Sequence, residues 1–159
     1  GDIATEHDAD KLREAGLPAH QIVTGGTCHL DARMVDNALT VAAFGELDLL
    51  FVENVGNLVC PANFALGEQF KIVLLSVTEG ADKPFKYPGI FSKADLAVLT
   101  KIDLLPYVPF DAALVQEQIA TLRPGGRILR VSATSGEGLE AFTGLLQERV
   151  RQCKASATH

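Results

Sequence analysis

The sequence predicts an α/β fold, a parallel β-sheet flanked by helices. Five short, nearly continuous apolar runs are the first observation: "HQIVTG" (20–25), "LDLLFVEN" (47–54), "KIVLLSVT" (71–78), "LAVLTKID" (96–103) and "RILRVSA" (127–133). Runs of that length and composition are strands covered on both faces. The second observation is that helical spacing fills most of the intervals between them. Strands alternating with helices build a parallel sheet through right-handed crossovers. In such a sheet the chemistry sits just beyond the carboxyl end of each strand.

The elements follow in order. Thr5 with Asp8 three residues later resembles a capping box opening a helix, which Gly16 closes. Residues 29–43 place Leu30, Met34, Val35 and Leu39 at helical spacing. Residues 111–123 and 138–152 repeat that spacing, the last after Gly136 and Gly138. The segment "KPFKYP" (83–88) predicts a basic, aromatic turn punctuated by proline. One domain over residues 1–152 and a frayed tail over 153–159 account for all 159 residues.

Composition removes some classes of function. At 47% hydrophobic and 21% charged residues, the chain can bury a core and is not a disordered segment. A net charge of −6 argues against nucleic-acid binding, which needs a basic face. No apolar run approaches the ~20 residues that span a bilayer, and no signal peptide is expected. Three cysteines, Cys28, Cys60 and Cys153, imply no disulfide framework, so a reducing, cytoplasmic compartment is expected.

Three strand ends carry polar motifs. Glu53-Asn54-Val55-Gly56 closes the second run. A carboxylate there can hold Mg²⁺, and a glycine lets its N–H approach a phosphate; a polar loop after a strand explains the same residues. Thr100-Lys101-Ile102-Asp103 closes the fourth run. The Asp103 carboxylate can accept from the N1–H and exocyclic amine of guanine, a pattern adenine lacks, while the Lys101 stem packs along the base. An ordinary turn with solvated charges is the plainer alternative. Ser132-Ala133 follows the fifth run and offers a backbone N–H to a base carbonyl; a capping loop built on Thr134 or Ser135 is the alternative.

Singly these signals are weak, but their order resembles the later half of a P-loop GTPase. Further stretches narrow the resemblance: "GDIATEHDADKLREAG", "TGGTCHLDARMV", "ELDLLFVENVGNLVCPANFALGE", "VLLSVTEGADKPFKYP", "KIDLLPYVPFD" and "VSATSGEGLEAF". Together they are similar to the HypB family, the nickel-incorporation GTPases of hydrogenase maturation, in the SIMIBI class. The resemblance runs from residue 1 to about 150. Thr100 stands where most GTPases carry Asn, as it does in the related signal-recognition GTPases.

The resemblance implies a GTP-hydrolysing nickel metallochaperone with GTP/GDP and Mg²⁺ as cofactors. Asp2 and Glu53 would serve Mg²⁺ and water positioning. Gly56, Thr100, Lys101, Asp103, Ser132 and Ala133 would contact nucleotide. It also implies a nucleotide- and metal-dependent homodimer that works with hydrogenase maturation proteins and the hydrogenase large subunit; the segment around Lys83 and Lys86 would lie toward nucleotide and dimer partner. A P-loop, G-x-x-x-x-G-K-[ST], is the expected companion of these motifs, yet none of the 14 glycines precedes a lysine. In the family that loop precedes the segment matched by residues 1 and 2. The chain is therefore expected to be an N-terminally incomplete GTPase domain that binds GTP weakly and hydrolyses it hardly at all. The alternative is a metal-binding and dimerising module with no working nucleotide site.

Cys28 and His29 stand together behind Gly25 and Gly26. From the residues alone they are either the start of a helix or two metal ligands. Cys60 follows a different predicted strand, so neighbouring strands would bring it to the same sheet edge. The resemblance implies a metal site of Cys28, His29 and Cys60 that takes Ni²⁺ or Zn²⁺, both suited to thiolate and imidazole. A redox role for the two cysteines is disfavoured, because they form no C-x-x-C motif. His7 and His20 read as surface residues, and Cys153 as a free thiol in the last helix.

Overall fold

The computed structural model describes residues 1, 7–42 and 44–157. Asp2 and Thr5, with the roles expected for them, lie outside those residues. The chain divides into two compact units, Gly1–Gln69 and Phe70–His159.

The first unit holds helices α1 (His7–Glu14) and α2 (Ala32–Ala42). Gly16, at φ +81°, ends α1 as expected. Its N–H donates to the Arg13 carbonyl at 2.9 Å and that of Leu17 to the Leu12 carbonyl at 3.0 Å. A residue with a side chain is strained in that left-handed turn. Asp31 caps α2, its Oδ1 accepting from Met34 N–H at 2.8 Å. Leu30 and Val35 are buried, Met34 is half-buried and Leu39 is exposed.

Two expected strands are corrected here. Residues 20–25 supply only an isolated bridge at Val23, and 47–54 have no strand at all. A strand exists only where a neighbour meets its N–H and C=O groups. Among the described residues no ladder forms along 47–54, and the apolar side chains of Leu49, Leu50 and Phe51 remain 43%, 40% and 64% exposed. Apolar composition alone could not reveal that. Cys60–Asn63 forms a short 3₁₀ turn with Pro61 near its start.

The second unit carries the sheet. Strands β1 (Ile72–Ser76), β2 (Leu96–Thr100) and β3 (Arg127–Arg130) pair in parallel in the order β1-β2-β3. Ile72 lies opposite Leu96 and Leu96 opposite Arg127. The middle strand is buried from Leu96 to Leu99, as a doubly covered strand should be. Leu96, Val98 and Val131 form a core cluster, packed against Phe70, Ile72, Leu129, Leu139, Phe142 and Leu145. Each such side chain contributes about 1.5–3 kcal/mol when taken from water.

Four α-helices and a 3₁₀ helix (Ile102–Tyr107) complete this unit: α3 (Lys83–Lys86), α4 (Pro88–Lys93), α5 (Ala112–Leu122) and α6 (Leu139–Ala157). The expected turn at 83–88 is instead a one-turn helix and the start of the next. Pro84 and Pro88 each sit at the opening of a helix, where the missing N–H costs nothing. Asp111 caps α5 through Oδ1, which accepts from Ala113 and Leu114 N–H at 3.0 and 2.9 Å. Helix α6 continues through Cys153 to Ala157, past the boundary expected at 152. No helix among the described residues is long and apolar enough to cross a membrane.

Candidate metal centre and strand-end loops

Cys28, His29 and Cys60 converge within the first unit. Their ligand atoms lie within 4.8 Å of one another, and Cys28 Sγ is 3.9 Å from His29 Nδ1. Ligands about 2.0–2.3 Å from one ion lie at most ~4.6 Å apart. The cluster therefore needs only small side-chain shifts to close on a single cation. Cys28 is exposed and Cys60 half-buried, so the site opens to solvent. The neighbouring Cys28 thiol, hydrogen-bonded to Cys60, raises the Cys60 pKa above the ordinary cysteine range, and partial burial adds to the effect.

Local chemistry explains the convergence. Gly25 (φ +62°) and Gly26 (φ +106°) turn the chain after Thr24. Thr24 Oγ1 donates to the Thr27 carbonyl at 2.7 Å and Thr27 Oγ1 donates back to the Thr24 carbonyl at 3.2 Å. This turn, not an extended strand, lets adjacent Cys28 and His29 reach one centre. The His29 ring stacks on Phe64, with centroids 3.7 Å apart and planes 14° from parallel.

Two asparagines carry a role the sequence reading missed. Asn54 Oδ1 accepts from Leu30 N–H at 2.9 Å and from Val55 N–H at 2.8 Å. Asn57 Oδ1 accepts from Val59 and Cys60 N–H at 3.0 and 2.9 Å, while its Nδ2 donates to the Cys28 carbonyl. Asparagine offers both a two-lone-pair acceptor and a donor on one short side chain. No strand pairing is needed to join the two cysteine loops.

Glu53 is exposed and lines a polar cleft with Gly1, Asp8, Gln21, Asn54 and Gly56. Asp8 adds a second carboxylate that the sequence reading assigned only to helix capping. Gly1 N lies 2.5 Å from the Glu53 carbonyl oxygen.

In the second unit the ends of β2 and β3 bring the other motifs together. Val131 N–H donates to the Leu99 carbonyl at 2.8 Å and Ile102 N–H to the Val131 carbonyl at 3.3 Å. Lys101 takes a left-handed conformation (φ 59°, ψ 37°), uncommon without a glycine, and is exposed. Ser132 is fully buried and donates from Oγ to Asp103 Oδ1 at 2.5 Å. The same Oγ accepts from Ser135 N–H at 3.1 Å. Ser132 and Ser135 together organise this loop, Ser135 Oγ accepting from Glu137 N–H at 3.3 Å. Thr100 Oγ1 turns inward, 3.5 Å from the Leu75 carbonyl, and Ala133 is exposed. His7, His20 and Cys153 are exposed, as expected.

Comparison with known proteins gives concordant results. The family described as CobW/HypB/UreG, nucleotide-binding domain, matches residues 1–130. The hydrogenase maturation factor HypB of Azotobacter vinelandii is 54% identical over 149 residues, 94% of this chain and 49% of that protein. The chain thus spans about half the length of that curated relative. Among solved structures, HypB from Helicobacter pylori in complex with nickel superposes with a TM-score of 0.92 at 42% identity, covering 96% of this chain and 73% of that one. The HypB of Archaeoglobus fulgidus gives a TM-score of 0.86 at 38% identity, over 94% of this chain and 73% of that one.

Proposed function

The chain belongs to the HypB family within the CobW/HypB/UreG nucleotide-binding domains, and we propose that it serves nickel delivery during [NiFe]-hydrogenase maturation, governed by GTP binding and hydrolysis. The observation that carries this reading is the convergence of Cys28, His29 and Cys60 into one ligand cluster. Nickel is the cargo. Two thiolates and an imidazole bind it firmly, and three ligands leave positions for water or for a second copy of the chain. An open, solvent-facing site suits release to a partner. Zinc fits the same donors and would compete.

On the nucleotide side, Asp103 accepts from the guanine N1–H and amine, with its carboxylate held by Ser132. The Lys101 stem covers the base, and Ala133 offers its N–H to the base carbonyl. Thr100 and Ser132 complete the set of nucleotide-contacting residues at these strand ends. Glu53 and Gly56 serve the phosphate and Mg²⁺ side, with Asp2 as the second acid. Bound Mg²⁺ would neutralise developing charge on the phosphates. The protein acts as a homodimer in the cytoplasm, with hydrogenase maturation proteins and the hydrogenase large subunit as its partners.

Calorimetric titration tests both halves. Nickel binding should be lost in Cys28→Ser and Cys60→Ser, and GDP should bind in preference to ADP. Nickel affinity unchanged by both cysteine substitutions would refute the metal assignment. Metal binding with no nucleotide heat would point instead to a metal-binding, dimerising module.

A further inference from the structure

We propose that Asn57 is the positioning residue of the metal centre: its one amide ties the Cys28–His29 pair to the Cys60 turn and sets the ligands before metal arrives. The proposal rests on the reading of this cluster as a nickel site.

Three hydrogen bonds carry it. Asn57 Nδ2 donates to the carbonyl of Cys28, the first ligand. Its Oδ1 accepts from the N–H of Cys60, the third ligand, at 2.9 Å, and from that of Val59 at 3.0 Å. A single half-buried side chain thus holds the backbone of two ligands from distant parts of the sequence. Asn54 secures the far side of His29 through Leu30 N–H at 2.9 Å, and Phe64 fixes the ring plane of His29. Asn57 is the member of this set that spans both ligand segments.

The chemistry at position 57 is selective. Aspartate keeps the acceptors for Val59 and Cys60, but sets a carboxylate oxygen against the Cys28 carbonyl. Alanine removes all three bonds. Without the bridge, binding a cation must also order two separate loops, and that cost lowers the apparent affinity. Partners that orient metal ligands are typically worth 10–100-fold in affinity.

The test is competition for Ni²⁺ against a chromophoric chelator under reducing conditions, read also by the thiolate-to-nickel charge-transfer absorption. The proteins compared are wild type, Asn57→Ala and Asn57→Asp, with Cys28→Ser and Cys60→Ser as controls. Both Asn57 variants should bind about 10–100-fold more weakly, with an altered charge-transfer band and an unchanged far-ultraviolet circular dichroism spectrum without metal. Wild-type affinity and spectrum in Asn57→Asp would overturn the proposal, because the tie to Cys28 would then be dispensable. So would loss of the metal-free circular dichroism spectrum in both variants, which would make Asn57 a folding residue. Were nickel binding indifferent to both cysteine controls, the metal reading itself would fall. Wild-type binding that depends on both cysteines yet ignores Asn57 would remove only the role given to Asn57.

Discussion

At Asp103, one carboxylate oxygen accepts from Ser132 Oγ at 2.5 Å, and Oδ2 has no partner among the described residues. In the proposed role that asymmetry would serve discrimination: Ser132 holds one carboxylate oxygen, and the other would accept from guanine. Asp103→Asn should keep the Ser132 contact through its amide oxygen while presenting an N–H₂ donor to the donors of guanine. GDP affinity should fall at least ~100-fold, because buried donors would then face each other. Xanthosine diphosphate, which carries a carbonyl in place of the amine, should bind the variant better than GDP does. Calorimetry with the two nucleotides checks both statements; equal GDP affinity in wild type and variant would remove Asp103 from base recognition. Cys28, His29, Cys60 and Asp103 were named from the sequence through the family resemblance, and the structure brings the first three together. Asn54, Asn57 and Phe64 were not, because an amide or a ring signals nothing until its partners are known.

At the scale of elements, the turn from β3 into α6 depends on Gly138. It adopts φ +76°, and an added Cβ would overlap the Arg130 carbonyl oxygen. Gly138→Ala must therefore either strain the backbone or displace the end of β3. A loss of at least ~2 kcal/mol is expected, seen as a lower urea midpoint; an unchanged midpoint would show that the loop yields freely. Helix α5 offers the opposite case. Gln118 is 5% exposed, and its Oε1 has no hydrogen-bond partner among the described residues. A buried acceptor left unmet costs about 1–3 kcal/mol, so Gln118→Met, of similar shape, should raise the urea midpoint. Helices 111–123 and 138–152 were predictable from spacing, and their observed starts agree within two residues. The two lost strands were not, since apolar composition cannot report whether a ladder partner exists.

For the whole molecule, stability should be uneven along the chain. The parallel ladder β1-β2-β3 with its buried middle strand supplies slow-exchanging amides, while residues 47–54 have neither ladder nor buried apolar faces among the described residues. Hydrogen exchange followed by mass spectrometry should show the greatest protection over 96–100 and early exchange over 47–54. Nickel should then slow exchange over 27–30 and 57–60, the two segments that carry its proposed ligands. Protection of 47–54 equal to that of β2 would contradict this picture.

The sequence by itself determined the α/β class, the three paired strands and the family, and it nominated Cys28, His29, Cys60 and Asp103 as site residues. These are properties of local pattern and of side-chain chemistry, and both are written in the order of residues. Tertiary structure alone decided what joins the Cys28–His29 pair to Cys60. The glycine turn at Gly25 and Gly26 was legible, but in place of two adjacent strands a 3₁₀ turn and one asparagine amide make the link. The physical reason is that a hydrogen bond between distant segments depends on where both partners end up in space. No spacing in the chain encodes that Asn57 will find the carbonyl of Cys28.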